Sequence, residues 1–410
     1  MNPTLLTRSK LLTFQEQVNL QPLMPAATRA LSAALDAPIT LQPYETFEYQ
    51  AHILRCQVLS SDSRIPTSVI IKQAKNRGGQ QYNPNDGAFW SLAYRLFNDW
   101  AGAQFLSSLD WPAQFGPRFY AGSREEGFIM LEDLGNNASV HAALLANEPL
   151  RAEMELLNVS ACLGQMHAAT ANRYADFVRL RDALGPRDPA MYPKNASYLR
   201  NSLPQLRELL IGVGLPAHER FYAEAEALAI ALTNPEPFSA YTNGDPCPVN
   251  WLNCDSTLRL IDFEFGGFEH APTEAMHGRM VFPTYAFAQR IPQKIIERME
   301  VLYRSELMRG CPAAADDALF QQAIAQACAF WLLFSLVRDL KPAFGSRDAE
   351  AKTACQWVVA RSQEFVAAAE RAGYFPEMRS MANRLIEKLV EVWSAEAYEL
   401  PYFPAFQGTI

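Results

Sequence analysis

One stretch, residues 241–268 (YTNGDPCPVNWLNCDSTLRLIDFEFGGF), constrains this chain more than any other. It carries Asp245, then Asn250 five residues on, then Asp262 twelve further on. Between Asn250 and Asp262 lie two short apolar runs, 251–254 and 258–261. Asp255, Ser256 and Thr257, which are turn-forming residues, separate them, and the alternation predicts a β-hairpin. With those three as its loop, Cys254 faces Leu258, Leu252 faces Leu260, and Asn250 faces Asp262; a one-residue slip would undo that register. Leu252, Cys254, Leu258 and Leu260 then share the face that wants burial. The open end presents an amide and a carboxylate side by side.

An amide oxygen beside a carboxylate is a hard-oxygen pair suited to Mg²⁺, which keeps several waters and takes further ligands from phosphates. Asp245 precedes the hairpin in a stiff loop, between Gly244 and the prolines Pro246 and Pro248. A carboxylate placed to orient a hydroxyl beside such a pair is equipment for phosphoryl transfer. The pattern GDxxxxN followed by IDFE resembles the catalytic and metal-binding segment of the aminoglycoside phosphotransferase and choline kinase-like family. The usual form there is HGDxxxxN, and Asn243 stands at the His position here. The resemblance implies an α+β, two-lobed protein-kinase-like fold that uses ATP and Mg²⁺. It implies Asp245 as catalytic base, with Asn250 and Asp262 as metal ligands. An ordinary hairpin with polar ends is the reading without chemistry.

Pro25 opens a helix that Asp36-Ala37-Pro38 ends. Strands follow between Ile39 and Ser60, clearest over 53–59, and again over 68–72, where Val69 and Ile71 point one way and Ile70 and Lys72 the other. By the resemblance, Lys72 is the lysine that holds ATP phosphates. A long helix is expected over 89–108, with Leu92, Leu96, Ala103 and Leu106 as its apolar stripe. Asp99 falls on that stripe, and a buried carboxylate needs a partner; Lys72 is the candidate, as in kinase folds. No glycine precedes Gly78, so the usual glycine-containing phosphate loop is missing. Its place falls near 43–47, where Thr46 offers a hydroxyl. Residues 127–131 read as a strand, and the following EDLG resembles the family's inter-lobe segment, implying that the backbone from Met130 to Glu132 meets adenine. His167, near the end of a helix over 148–172, reads as structural. Residues 176–201 read as surface loop, and residues 285–410 as mostly helical. Glu274 resembles the acid that braces the catalytic loop, and Arg279 reads equally as a structural salt-bridge partner or a site residue.

Residues 1–131 thus read as an N-lobe with an antiparallel sheet and one long helix, and 132–410 as a helical C-lobe with the catalytic hairpin and acceptor pocket. At 410 residues, 49% of them hydrophobic, two cores are expected. The seven cysteines are scattered without paired metal spacing. The N-terminus has no sustained apolar run, and the longest such run, 323–337, is too short to span a bilayer. A cytoplasmic protein with no membrane partner follows. The net charge of −8 argues against nucleic acid. A small-molecule acceptor is expected, cationic if Glu264, Glu269 and Glu274 line the cleft and not if they brace the fold. The glycine-free phosphate segment, Asn243 and Asp99 motivate the alternative of a pseudokinase acting as a nucleotide-binding or interaction module.

Overall fold

A computed structural model describes residues 9–11, 23–47, 50–74, 80–254, 257–345, 347–394 and 398–408. The chain is α+β, sheet-rich toward its N-terminus and helical beyond. It divides into two compact units, the first made of 1–137, 175–188 and 252–266, the second of 138–174, 189–251 and 267–410. These boundaries differ from the contiguous lobes expected. The hairpin from residue 252 and the IDFE segment group with the sheet: the Leu260 N–H donates to the Phe115 carbonyl at 2.7 Å, and Lys72 and Asp99 hold Asp262 and Phe263.

In the first unit, strands β1 (Ser9–Leu11), β2 (Thr40–Phe47), β3 (Gln50–Leu59), β4 (Ser68–Gln73), β5 (Phe119–Ser123) and β6 (Phe128–Glu132) form one antiparallel sheet in the order β1-β2-β3-β4-β6-β5. Strand alternation decides its faces. Leu54, Cys56, Val58, Val69, Ile71, Phe128 and Met130 are buried with Met24, Ala27 and Leu31 of helix α1 (Met24–Leu35) in one apolar cluster. Pro25 opens that helix, and Asp36, left-handed at φ 49°, closes it. Lys72 lies on the other face, opposite Ile53 on β3 and Ile129 on β6. Residues 43–47 are strand, not loop, and Pro43 sits where the β2–β3 register shifts, a bulge position that a missing N–H tolerates.

Helix α2 (Leu92–Ser107) begins three residues later than expected, because Ser91 caps it, its side chain accepting the Tyr94 N–H at 3.1 Å. Residues 176–201, expected as loop, instead form helix Tyr174–Leu184 and the start of helix Lys194–Gly212. In the former the buried positions are Phe177, Arg181 and Leu184. An arginine in the middle slot hides the apolar period. Arg181 is fully buried: Nε donates to Asn98 Oδ1 at 2.7 Å, and the guanidinium lies over the Tyr94 and Phe97 rings. The predicted hairpin forms from Trp251–Cys254 and Thr257–Leu260. Thr257, expected in the turn, is in the strand; Asp255 and Ser256 lie outside the described residues.

The second unit is helical, apart from the antiparallel pair Ser239–Thr242 and Gly267–His270, which brackets the 243–266 segment in sequence. Helices Pro149–Thr170 and Gln293–Leu307 approach so closely that a Cβ on Gly164 would sit 2.6 Å from the Tyr303 carbonyl oxygen. Helix Asp317–Ala343 is long and apolar enough to cross a membrane by length and composition, and 72% of its most apolar window is buried inside the protein. It lies against helix Ala349–Ala372, which Gly373 ends at φ 71°.

Candidate active site

The first unit supplies a charged cluster built on one turn of α2. Lys72 Nζ contacts the Asp99 carboxylate and lies 2.9 Å from Asp262 Oδ1. Asp99, 3% exposed, also accepts the Phe263 N–H at 3.0 Å. Four residues and one residue before Asp99, the same helix reaches the next acid. Arg95 holds Glu264 through Nε and an amino group at 2.8 and 2.6 Å, and Asn98 donates to the Glu264 carbonyl at 3.2 Å. Residues 95, 98 and 99 share one helix face by their spacing, and together they grip the segment that carries Asp262. Asp262 itself is left-handed at φ 67°, a conformation that Asp tolerates better than most residues. Gly116 lets this segment close, since a Cβ there would lie 2.7 Å from the Phe263 ring.

Three carboxylates against two cations leave the cluster acidic. Burial pulls the Lys72 pKa down, but Asp262 and Asp99 outweigh it and hold the ammonium charged. Burial, opposed by Lys72 and reinforced by Asp262, pushes Asp99 up; burial and Asp262 do the same to Glu264. An excess of hard oxygen donors, with Asp262 about one-third exposed, fits a divalent cation. The lysine–acid pair anticipated from the stripe is thus present, while Arg95 and Asn98 had no separate signal in the sequence.

Of the expected nucleotide-binding residues, Met130 is fully buried, paired with Ile71 and Ala121. Glu132 ends β6, its N–H donating to the Arg118 carbonyl at 2.8 Å and its carboxylate accepting the Arg118 N–H at 3.0 Å. The Thr46 hydroxyl donates to the Ile53 carbonyl at 2.9 Å. Asp133 of the EDLG segment is held by Arg55 Nε at 2.9 Å, and the same arginine contacts Glu45 and Asn136.

The second unit holds the GDPCPVN loop. Glu274 braces it: one carboxylate oxygen accepts the Asn243 and Gly244 N–H groups at 2.7 and 3.0 Å. The other oxygen is 2.9 Å from His167 Nε2, whose Nδ1 is 3.0 Å from the Tyr303 hydroxyl. His167 is therefore a buried supporting residue, as expected. Asn243, in the position the motif usually gives to His, accepts the Asp245 N–H on Oδ1 at 2.9 Å. Asn250 donates from Nδ2 to the Asp245 carbonyl at 2.8 Å, which fixes its amide and turns Oδ1 to other use. Asp245 Oδ1 accepts from the Thr284 hydroxyl at 2.6 Å and from the Cys247 thiol at 2.7 Å. Asn250 ends the turn Pro248–Asn250 in this unit, whereas Asp262 belongs to the first, so their pairing across the hairpin mouth stays an expectation.

The remaining acids are engaged internally. Glu269 accepts the Lys194 and Asn195 N–H groups, at 2.7 and 3.2 Å, at the start of their helix. With Glu264 on Arg95 and Glu274 under the GDPCPVN loop, all three brace the fold. Arg279 bonds Glu300 and, at 2.9 Å, Glu364, the structural one of the two roles open to it.

No protein-family profile matches the chain, and no curated protein matches it in sequence. Solved structures similar to it include an ethanolamine kinase from Plasmodium vivax, at 11% identity and TM-score 0.42, covering 85% of each chain. A choline kinase from Cryptosporidium parvum Iowa II matches at 12% identity and TM-score 0.43, over 90% of this chain and 94% of that one. A spectinomycin phosphotransferase, in complex with ADP and spectinomycin, matches at 12% identity and TM-score 0.37, over 90% and 98%.

Proposed function

We propose that this chain moves the γ-phosphate of ATP to a hydroxyl of a small molecule: an amino sugar, an aminoalcohol or a sugar. The observation that carries this reading is the Lys72 ammonium, kept charged between Asp99 and Asp262 on the sheet face away from the α1 core. A lysine so fixed is a phosphate-binding cation in place before substrate arrives. The backbone from Met130 to Glu132 is the proposed adenine contact, with Thr46 nearer the phosphates. Asn250 and Asp262 are the proposed Mg²⁺ ligands; the ion would neutralise charge on the phosphate oxygens. Asp245 aligns the acceptor hydroxyl and takes its proton as the new O–P bond forms and ADP departs. Positioning and charge stabilisation carry the rate, with no covalent enzyme intermediate. Because Glu264, Glu269 and Glu274 already have protein donors, selection of the acceptor does not run through them.

A second reading, a pseudokinase serving as an interaction module, is favoured by one observation: residues 43–47 form a glycine-free strand in which the Thr46 hydroxyl is held by Ile53. Titration calorimetry with Mg²⁺–ATP, followed by ADP formation over a panel of amino sugars, aminoalcohols and sugars with an Asp245→Asn control, decides between them. Turnover lost in Asp245→Asn is the expected result. Failure to bind nucleotide refutes the transferase reading, and binding without turnover across the panel favours the module.

A further inference from the structure

Behind Asp245, in the second unit, a strained segment delivers a hydroxyl that the reading above does not use. Val281 and Phe282 are both left-handed, at φ 57° and 39°. A β-branched residue there is a genuine outlier, and such strain persists only where the surroundings over-determine it. They do: the fully buried Arg361 donates to the Met280 and Val281 carbonyls at 3.1 and 3.0 Å and is anchored by Asp339 at 2.8 Å. The Phe282 N–H returns to the His277 carbonyl at 2.7 Å. Two residues later comes Thr284.

The Thr284 hydroxyl is 2.6 Å from Asp245 Oδ1, 3.1 Å from Cys247 Sγ and 2.8 Å from His277 Nε2. Asp245, Cys247 and His277 offer ligand atoms within 4.8 Å of one another, a donor set a transition metal could use. The hydroxyl at their centre fills the place an ion would take, so a hydrogen-bond hub fits the geometry. Proton accounting then fixes the imidazole. Thr284 has one proton and gives it to Asp245, so it must accept one from His277 Nε2–H. That leaves Nδ1 bare, and Nδ1 is buried without a hydrogen-bond partner, as a neutral ring permits. Burial, helped by Arg361, holds the ring neutral to about 3.

We infer that Thr284, backed by neutral His277 and held in place by the Arg361 clamp, is a positioning residue that pins Oδ1 of Asp245 and so fixes the orientation of the carboxylate that meets the acceptor hydroxyl. This rests on Asp245 being the base. Oδ1 accepts from Thr284 and Cys247, and the acceptor's proton moves to the carboxylate. Without the hub the carboxylate rotates about its own axis, and a displacement of this kind near reacting atoms lowers rate by on the order of a hundredfold.

The test uses the full chain. Thr284→Val keeps shape and loses the hydroxyl; its kcat should fall roughly 10- to 100-fold, with KM for ATP within about twofold. Thr284→Ser should recover most of the lost rate, which a purely steric role would not allow. Separately, ¹⁵N-histidine NMR of the unmodified protein at pH 7, assigned with a His277→Gln variant, should show His277 as the neutral Nε2–H tautomer. A Thr284→Val enzyme with unchanged kcat overturns the inference. So does His277 protonated at Nδ1 or charged, whether or not turnover is seen. The expected tautomer in a protein that phosphorylates no acceptor overturns the transferase reading and leaves the hub standing.

Discussion

Removing Asp99 should damage the first unit by a calculable amount. Its side chain is 4% exposed and that of Lys72 15%, so the pair is effectively out of water. Taking one partner from a buried ion pair costs about 3–5 kcal/mol. Lys72 keeps Asp262 at 2.9 Å, but that carboxylate is 34% exposed and already one of an excess of acids, so the lower half of the range applies. Asp99 also accepts the buried Phe263 N–H, and stranding that donor costs about 1–3 kcal/mol. The two effects overlap, and Asp99→Ala should destabilise by about 4 kcal/mol. Asp99→Asn keeps an oxygen for Phe263 and loses only the charge, so it should be milder by about 1–2 kcal/mol. Lys72→Met leaves Asp99 and Asp262 facing each other without their cation and should cost about 3 kcal/mol or more. The double variant Lys72→Met/Asp99→Asn buries no unmatched charge at this point, so a double-mutant cycle should return a coupling of about 2–3 kcal/mol. Urea denaturation followed by tryptophan fluorescence measures all four variants against the parent. Single variants within about 0.5 kcal/mol of the parent, or strictly additive ones, would refute the claim that this pair holds the sheet to the segment carrying Asp262.

Three further outcomes are expected. Burial holds His270 neutral to about 3, against an ordinary value near 6.5; the unfolded chain therefore binds the extra proton, and stability present above pH 6.5 is lost as pH falls. Between pH 6.5 and 5 the parent should lose about 2 kcal/mol more than His270→Asn, and equal losses in denaturation series would contradict it. A Cβ on Gly310 would lie 2.0 Å from the Ala168 carbonyl oxygen, backbone against backbone, so Gly310→Ala should cost at least about 3 kcal/mol; a parental unfolding midpoint would be inconsistent with that contact. Gly116→Ala drives a methyl into Phe263 and the Leu260 carbonyl; it should cost about 1–3 kcal/mol and weaken Mg²⁺–ATP binding by calorimetry, while unaltered affinity would separate Gly116 from the site.

Where one residue's chemistry dictates local shape, the sequence was enough. Pro25 and Asp36 bound α1, and the alternation of Val69 and Ile71 against Lys72 sets the face of β4. Asp99 was visible for the same reason, as a carboxylate on an apolar stripe. What escaped was set by distant partners. Arg181 occupies an apolar slot because Asn98 and two rings on another helix receive it, so no helix period shows in 174–184. Thr257, one of three turn residues by its sequence, is drawn into the strand, its hydroxyl on the Cys254 carbonyl at 2.7 Å. Thr284 reaches Asp245 from 39 positions away through a backbone that Val and Phe do not choose by themselves; only Arg361, farther still along the chain, explains it.

The first unit is sewn from three separated lengths of chain, ending at residue 266. During synthesis the sheet leaves the ribosome early, yet Lys72 and Asp99 wait for Asp262 and Phe263, which emerge on the order of ten seconds later at ordinary elongation rates. Through that interval α2 carries a charged face without its counterpart. A fragment cut after residue 137 would be frozen in the same unfinished state, so dissecting this protein at that boundary should yield material that aggregates, not a folded first unit.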